Sequence, residues 1–354
     1  MTDKDISKDL QQQVAQALSS RTALNIQAGN SKQFYGRAAS GDVLDVSTHR
    51  GVINYEPTEL VITARAGTPL KELEQLLADN NQMFGFEPPA FGDSATIGGT
   101  VACNFSGPRR AFAGSARDFV LGSTIINGKA EQLHFGGEVM KNVAGYDVSR
   151  LMCGALGTLG VLLEVSIKVL PRPETELTLV QELDTNASLA KVHELARQSL
   201  PVSATCFDGH RLHIRLSGAE AGVAAARKLL GGDTLPANDN FWHKLKEQQL
   251  EFFKSGGDLW RLSLASNGPN LGLNGKTLYE WNGAQRWLIG DDRADVIRDR
   301  AARHGGHATC FRSQHDTEQV FHPLDGGLLA IHRQLKRAFD PEAIFNPGRM
   351  YAEI

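Results

Sequence analysis

The placement of glycine restricts what this chain can fold into more than any other feature. Of its 36 glycines, 19 precede residue 161, and 13 of those lie between Gly92 and Gly160. Glycine weakens helices and strands and is used where the backbone turns sharply or approaches another group, so this stretch excludes long helices. Apolar residues recur through it, which distinguishes it from low-complexity sequence. We therefore expect short strands and tight loops in which the backbone comes close to another chemical group.

Size and charge set the next limits. A single core rarely extends beyond about 250–300 residues, so 354 residues predict two domains. The net charge of −3 argues against a broad nucleic-acid-binding surface, which needs excess basic residues. The first ten residues lack the apolar run of a signal peptide, and the most apolar stretch, 159–170, is too short to span a bilayer. We expect a cytoplasmic protein.

The cysteines and histidines do not form a recognisable metal motif. Cys103, Cys153, Cys206 and Cys310 are far apart and include no C-x-x-C pair, which argues against a zinc ribbon or an iron–sulfur cluster held by this chain. Thiols scattered in this way fit a reducing compartment. His210 and His213 lie three apart on a predicted strand and so point to opposite faces. His304 and His307 flank two glycines at a predicted helix end, which fits either a metal site or a solvated helix terminus. We predict no metal site.

Apolar spacing in the first half predicts irregularly alternating helices and strands, which favours an α+β fold over a regular doubly wound sheet. Apolar residues four apart predict a helix over 6–20. Thr68 as N-cap and Pro69 as first helical residue predict a second helix ending near Asn80. The remaining predicted elements here are strands over 24–26, 43–46, 60–64 and 161–170, and a β-hairpin of 119–126 and 129–135 around Asn127-Gly128.

Pro171-Arg172-Pro173 marks a boundary, because proline removes backbone donors and restricts the residue before it. Beyond it, a β-α-β-β-α order predicts a ferredoxin-like unit, continued by further strands of an antiparallel sheet with helices on one face. The predicted elements are strands over 177–183, 204–207, 212–216, 259–264, 277–281, 286–289 and 308–311, and helices over 188–199, 219–230, 241–253 and 294–304.

Two glycine-containing segments are candidates for binding an anion. Neither a P-loop nor a G-x-G-x-x-G motif is present. Residues 27–32 follow a predicted strand directly, and residues 91–104 form a second run of small residues. Small residues let backbone N–H groups converge on a dianion such as a pyrophosphate, and a few hydrogen bonds of about 1.5–3 kcal/mol each can hold one without a lysine. Either segment alone also fits a tight turn, so the prediction of an anion-binding site depends on the two segments together.

A family resemblance becomes visible in the order of five segments: 27–32, 95–99, 117–122, 141–147 and 157–161. With 339–350 near the C-terminus, they resemble the PCMH-type FAD-binding domain of the vanillyl-alcohol-oxidase superfamily. Residues 107–110 and 137–140 narrow the resemblance to the family of FAD-binding E subunits of bacterial glycolate oxidase (glycolate dehydrogenase). It implies a two-subdomain FAD-binding domain over 1–172, an antiparallel-sheet ferredoxin-like cap domain over 173–329, and a segment 330–354 that returns to the first domain.

The resemblance also implies an FAD site. Residues 27–31 would take the pyrophosphate, 95–104 would lie along the pyrophosphate and flavin, Gly160-Val161 would face the adenine end, and Asn346 would return near the flavin ring. Asn30 and Ser31 stand where some relatives carry a histidine bonded to flavin, so the FAD is expected to be noncovalent. The implied cofactor-binding residues are Gln27, Ala28, Gly29, Asn30, Ser31, Ala95, Thr96, Gly98, Gly99, Ala102, Asn104, Gly107, Gly160, Val161 and Asn346.

Catalysis in such a family needs a base for the hydroxyl proton of a 2-hydroxy acid and an arginine fork for its carboxylate, while flavin accepts the hydride. His307 and Arg312 are the candidates. A histidine at a domain rim and a surface arginine are the alternative reading of the same two residues. The H-x-N-x-H run of catalytic relatives is absent from the sequence.

That absence, with the scattered cysteines, implies a division of labour. We expect a subunit that works beside a catalytic flavin subunit and an iron–sulfur subunit, acts on glycolate or D-lactate, and contacts a membrane only through its partners. Two alternatives stay open on the sequence alone. One is a standalone FAD-dependent D-2-hydroxy-acid dehydrogenase, and the other is a non-catalytic scaffold subunit of the same fold.

Overall fold

The computed structural model describes residues 3–137, 147–236, 238–314 and 319–354. Contacts divide the chain into two compact units. The first comprises 1–106, 115–171 and 323–354, and the second comprises 107–114 and 172–322. The first unit is therefore discontinuous, with the C-terminal residues rejoining it. The sequence motif over 141–147 lies outside the described residues except for Asp147.

The helices and strands are numbered in chain order. The helices are α1 (Ser7–Ser20), α2 (Leu70–Asp79), α3 (Ile97–Cys103), α4 (Arg110–Ala113), α5 (Ala116–Phe119), α6 (Val148–Met152), α7 (Thr185–Leu195), α8 (Glu220–Leu230), α9 (Phe241–Lys246), α10 (Glu251–Lys254), α11 (Ala294–Arg303) and α12 (Gly326–Phe339). The strands of the first unit are β1 (Leu24–Gln27), β2 (Asp42–Asp45), β3 (Val52–Glu56), β4 (Val61–Arg65), β5 (Gln82–Met83), β6 (Val120–Ile126), β7 (Gln132–Gly136), β8 (Val161–Lys168) and β9 (Leu170–Pro171). The strands of the second unit are β10 (Thr175–Glu182), β11 (Val202–Phe207), β12 (Arg211–Gly218), β13 (Asp233–Thr234), β14 (Leu259–Ser263), β15 (Lys276–Glu280), β16 (Gln285–Ile289) and β17 (His307–Arg312).

Two sheets of the first unit share a core, and a short third sheet pairs β5 with β9. β1 and β2 pair in parallel, and β3-β4-β8-β6-β7 form a five-stranded antiparallel sheet. The buried face of α1, with Leu10, Val14 and Ala17, packs into a core that also contains Leu24 of β1 and Phe345. The predicted helix over 6–20 is confirmed, because its four-residue apolar spacing is the spacing that buries this face.

Two details of the first unit differ from the sequence predictions. Pro69, not Thr68, is the N-cap of α2, and the Thr68 hydroxyl instead accepts from the amide of Gly51 at 2.9 Å and donates to the carbonyl of Arg65 at 2.7 Å. The β6–β7 hairpin is confirmed, but its connection spans 127–131 rather than a two-residue turn. Asn127 closes this loop, since its amide N–H donates to the carbonyl of Glu131 at 3.0 Å and its side chain accepts from the Lys129 amide at 3.0 Å.

The second glycine-containing segment is helical in its centre, and its prediction as a loop is wrong over 97–103. Thr96 caps α3, since its hydroxyl accepts from the amide of Gly99 at 3.2 Å. Gly98 lets the helix lie against β4: a Cβ there would fall 2.6 Å from the Cβ of Ala66. Glycine is used here for close approach within a short helix.

The second unit is an antiparallel sheet of eight strands in the order β13-β10-β12-β11-β15-β16-β14-β17. The predicted β-α-β-β-α order is confirmed as β10-α7-β11-β12-α8, and apolar residues of α7 and α8 pack on this part of the sheet. The predicted helix over 241–253 is wrong, because it breaks into α9 and α10 where Gln248 adopts a left-handed backbone conformation (φ 54°).

The segment 107–114 belongs to the second unit. Arg109 is buried and donates to Glu176 of β10 at 2.8 Å. The carbonyl of Gly107 accepts from Trp281 Nε1 at 3.0 Å, and the guanidinium of Arg110 lies 4.4 Å from the centre of the Trp281 ring. None of the helices over the described ranges has the length and apolar character needed to cross a bilayer.

Candidate cofactor site

A groove in the first unit gathers most of the predicted cofactor residues. The groove and the solvent at its mouth together enclose about 1020 Å³. The predicted residues that line it are Gln27, Ala28, Gly29, Asn30, Ser31, Thr96, Gly98, Gly99, Ala102, Gly160 and Asn346. Residues separated by more than 300 positions thus meet in one concave surface.

Four predicted cofactor residues lie outside this lining. Ala95 is buried beside the groove, where its carbonyl accepts from the Leu70 amide at 2.8 Å. Asn104 ends α3 in a left-handed conformation, and its side chain accepts from the Arg117 amide at 3.1 Å. Val161 is fully buried in the core beside β1. Gly107 lies in the second unit.

The loop after β1 exposes a row of backbone donors. Across the described residues, the amide N–H groups of Ala28, Gly29, Asn30 and Ser31 donate no hydrogen bond to the protein. The side chains of Asn30 and Gln27 bond to each other at 2.9 Å. Consecutive unpartnered N–H groups in a turn form a concavity with partial positive charge, which suits an anion.

Gly29 joins the two predicted segments. A Cβ at Gly29 would lie 1.5 Å from the carbonyl oxygen of Ser94, and the Ser94 hydroxyl donates back to the Gly29 carbonyl. The backbones of the two segments therefore touch at a point where only glycine fits. This contact fixes the loop that carries the free N–H groups.

The second segment shapes the wall of the groove and offers it few free backbone N–H groups. The amides of Gly98, Gly99 and Thr100 are already bonded, to the Ala66 carbonyl, the Thr96 hydroxyl and the Thr96 carbonyl. The expectation that both segments present N–H groups to an anion therefore holds for the first one, while α3 presents a glycine surface to the groove.

Asn346 links three parts of the site. Its side-chain oxygen accepts from the Ile26 amide of β1 at 2.8 Å, and its Nδ2 donates to the Leu156 carbonyl at 2.7 Å. A Cβ on Gly157, which has φ 71°, would fall 2.7 Å from that Nδ2. Both polar atoms of Asn346 are thus occupied in positioning the walls of the groove.

Two cationic residues in the lining were not predicted as cofactor residues. Lys32 is 7% exposed, and its ammonium donates to the Ser31 hydroxyl at 3.3 Å and to the Ala90 carbonyl at 3.2 Å. Arg349 donates to the carbonyls of Gln33 and Tyr35, and burial holds the pKa of its guanidinium below the ordinary value. Lys32 follows Ser31 directly in the sequence and was not predicted, because loop amides were expected to hold the anion without a lysine.

The two predicted catalytic residues are not brought together. His307 begins β17 and Arg312 ends it, so the strand separates them by on the order of 15 Å. Desolvation by burial, followed by the nearby charge of Arg261 and that of His322 when it is protonated, holds the pKa of His307 below the ordinary value. Arg261 was not predicted, although it and Ser263 are the two polar, half-buried residues of β14. The roles of His307 and Arg312 stay predictions.

The described residues contain no group of three or more His, Cys, Asp and Glu side chains placed to hold a metal ion. Cys153 is buried, and burial raises the pKa of its thiol to about 12. Cys206 is buried as well, and its thiol pKa is also raised. These thiols are protonated at neutral pH, unlike thiolate ligands or nucleophiles.

Known proteins resemble this chain over its whole length. A family model described as an FAD binding domain matches residues 6–136. The chain is 51% identical over 350 residues to the glycolate oxidase subunit GlcE of Escherichia coli, and the match covers 99% of both chains. The chain belongs to the GlcE family. It therefore binds FAD on a PCMH-type fold, as the resemblance implied.

More distant relatives share part of the chain. The D-2-hydroxyglutarate dehydrogenase of Xanthomonas citri pv. viticola is 28% identical over 53% of this chain and 40% of its own length. The glycolate oxidase subunit GlcD of Bacillus subtilis is 27% identical over 50% of this chain and 38% of its own. Among solved structures, an alkyldihydroxyacetonephosphate synthase superposes with a TM-score of 0.68 at 15% identity, covering 96% of this chain and 75% of that one. That likeness shows a common fold.

Proposed function

We propose that this chain is the FAD-binding subunit of a glycolate oxidase complex. The complex would oxidise glycolate, and D-lactate as a second substrate, to the 2-oxo acid and pass the electrons to partner subunits. The observation that carries the proposal is the 51% identity to the E. coli GlcE subunit across 99% of both chains. The N–H groups of Ala28–Ser31, which have no acceptor among the described residues, fit the phosphate end of the cofactor.

FAD, when bound, supplies the hydride acceptor, and the chain supplies the binding surface. In our proposal the Ala28–Ser31 amides hold the pyrophosphate, α3 lets the cofactor lie along its glycine surface, and Asn346 keeps β1 and Leu156 in place around it. Two observations support this fit. The four amides have no protein acceptor over the described ranges, and Gly29 and Gly98 sit where a Cβ would collide with neighbouring backbone or side chain. Asn30 and Ser31 have no group that bonds to flavin, which supports noncovalent binding.

The partners belong to the same proposal. A catalytic flavin subunit would carry the main oxidation and an iron–sulfur subunit would carry electrons onward. The four widely spaced cysteines support this arrangement, because this chain offers no cluster motif of its own. We place the complex in the cytoplasm, in contact with the inner membrane through a partner.

Purification of the tagged chain, alone and co-expressed with its host partners, tests the proposal. We expect a flavin spectrum, release of all FAD into the supernatant on acid precipitation, and slow glycolate-dependent dye reduction that rises when the partners co-purify. High turnover by the isolated chain would support a standalone dehydrogenase instead. A colourless chain that takes up no added FAD would support a scaffold. Flavin that stays with the acid pellet would show covalent attachment.

A further inference from the structure

We propose that the exposed flank of α12 is the docking surface for another subunit of the same oxidase, one that offers an apolar face edged with carboxylates. The inference rests on the proposed function, because it takes this chain to work within a complex. The docking strip is defined as Leu328, Ile331, Leu335 and Ala338. None of these four residues lines the cofactor groove.

The first support is the arrangement of apolar residues on α12. Successive residues of a helix are about 100° apart around its axis, so the docking strip falls within a sector of about 80°. Leu335 is half-buried and packs on the core cluster that includes Ile125. Toward the start of the helix the strip leaves this core, and Leu328 and Ile331 are 48% and 52% exposed. The strip therefore continues a core-facing row of side chains out into solvent.

The helix as a whole is covered far less than its apolar content requires. Single exposed apolar residues are ordinary on a protein surface, whereas a contiguous apolar strip marks an interaction site. The helix α1 buries its apolar row, with Leu10 and Val14 inside the core. On α12, whose 14 residues all belong to the described part of the chain, Lys336 is the one buried residue. The chain itself therefore leaves the apolar side of α12 uncovered or half covered.

The charge on α12 decides between a second copy of this chain and a different partner. Residues 326–339 include no acidic residue, and Arg333 and Arg337 are exposed at one edge of the docking strip. Neither arginine forms an ion pair with any residue that the structure describes. Two copies packed strip to strip would place the arginines of both along one interface, where like charges repel. A partner with carboxylates beside its apolar face would neutralise them instead.

The position of α12 favours a partner that exchanges electrons with the flavin. The Lys336 ammonium donates to the carbonyl of Thr158 at 2.8 Å and to that of Phe345 at 2.7 Å. The adjacent residues Gly157 and Asn346 line the cofactor groove. One helix, about 10–12 Å across, therefore lies between the groove wall and a subunit seated on the docking strip.

The docking strip forms the centre of an interface rather than all of it. It extends along about 15 Å of helix, whereas a stable interface buries about 800 Å² on each partner. A few central side chains contribute most of the binding energy of an interface. Substitution of the two exposed residues of the strip should therefore weaken the complex strongly.

The test titrates purified host partner subunits onto the immobilised, FAD-loaded chain. We expect Leu328→Glu and Ile331→Glu each to raise the Kd about 10- to 100-fold, because each loses the burial of one large apolar side chain. Flavin content per chain should stay at the wild-type value. Leu229→Glu is the matched control, because Leu229 is 68% exposed on α8 and makes the same change on another helix. Its Kd should stay within threefold of wild type.

A second pair of variants tests the charge of the partner. Reversal of both Arg333 and Arg337 to glutamate should raise the Kd about three- to tenfold at low ionic strength and less in 0.5 M salt, because salt screens exposed charges. Arg227→Glu on α8 is the matched control and should leave the Kd unchanged. Equal affinity at low salt for wild type and the double variant would overturn the assignment of an acid-edged partner.

Thermal melting shows whether each variant folds. If the glutamate variants do not fold, the double variant Leu328→Ala with Ile331→Ala adds no charge and should raise the Kd at least about tenfold.

Three further results would overturn the inference. One is a Kd within threefold of wild type in folded variants of Leu328 and Ile331, and another is an equal loss in Leu229→Glu. The third is a dimer of the isolated chain, seen by light scattering, that Ile331→Glu converts to a monomer, because it would assign the strip to a second copy. A wild-type chain that binds none of its host partners would refute the proposed function as well, so the two failures are distinguishable.

Discussion

Substitution of Gly29 by alanine tests the contact that sets the groove. The added Cβ would lie 1.5 Å from the Ser94 carbonyl oxygen, whereas real Cβ contacts are essentially never shorter than 3.0 Å. The two backbones must therefore separate by about 1.5 Å. A shift of that size lengthens a hydrogen bond of ordinary length, about 2.9 Å, from a loop amide to the FAD pyrophosphate to about 4.4 Å and breaks it. Gly29 does not have a positive φ, so the effect is steric and does not come from backbone strain.

The magnitude follows from the donors that move with Gly29. Loss of two charge-assisted hydrogen bonds, at about 1.5–3 kcal/mol each, weakens FAD binding by at least about 3 kcal/mol. That is a 100-fold or larger rise in Kd. Overpacking should also lower the free energy of unfolding of the apo-protein by about 1–3 kcal/mol.

The assay is titration of apo-protein with FAD, beside a urea unfolding curve. Gly222→Ala is the matched control, because Gly222 lies in α8 with nothing within 4 Å of the added Cβ. Alanine there should raise the free energy of unfolding by about 0.5–1 kcal/mol and leave the FAD Kd unchanged. A Kd within threefold of wild type in Gly29→Ala would refute the reasoning that this contact positions the pyrophosphate loop.

Three further changes probe the frame around the site. Lys336→Met removes the ammonium that donates to Asp340, Thr158 and Phe345, leaving a carboxylate that is 1% exposed, and should lower the free energy of unfolding in urea by about 3–5 kcal/mol. Asn346→Asp places an oxygen against the Leu156 carbonyl in place of a donor and should lower both the melting temperature and the flavin content per chain. His49 is fully buried, and burial lowers its pKa, so below about pH 6.5 the unfolded state takes up the proton before the folded state does and the free energy of unfolding falls. A His49→Asn variant should therefore lose less stability than wild type between pH 7 and pH 5.5. The difference should be up to about 1.4 kcal/mol per pH unit.

A different result would contradict each of these three predictions. An unchanged urea midpoint in Lys336→Met would show that the ion pair does not stabilise the C-terminal region. Wild-type flavin content in Asn346→Asp would show that the walls of the groove hold without the link. Parallel stability curves for wild type and His49→Asn would show that another group carries the acid dependence.

Sequence reasoning found the elements whose periodicity is set by burial. The helix over 6–20 and the strand order after Pro171 were predicted because their apolar residues face a core on one side. It missed α3, because Gly98 and Gly99 lower helix propensity, while tertiary contact with Ala66 requires glycine there. It also left α12 without a prediction, although the apolar spacing of Leu328, Ile331 and Leu335 was visible.

For the site, the sequence predicted which residues line the groove but not which of them offer free N–H groups and which hold the walls in place. Eleven of the fifteen predicted cofactor residues line one groove, since a loop rich in small residues is readable from composition. Which amides remain free depends on partners such as the Thr96 hydroxyl, and the link made by Asn346 depends on contacts across 320 residues. The periodicity of apolar residues predicts neither the free amides nor the link made by Asn346.

The return of the C-terminal residues to β1 has a consequence for how the protein is made. The Leu24 amide donates to Ile344 at 2.6 Å, and Asn346 reaches Ile26 across 320 positions. At translation rates of about 5–20 residues per second, β1 leaves the ribosome roughly 15 seconds to a minute before these partners exist. The groove can close only after residues 344–346 have been made. Flavin uptake would then require that residues 344–346 have been made, and a chain cut before Ile344 would be left colourless and open to proteolysis.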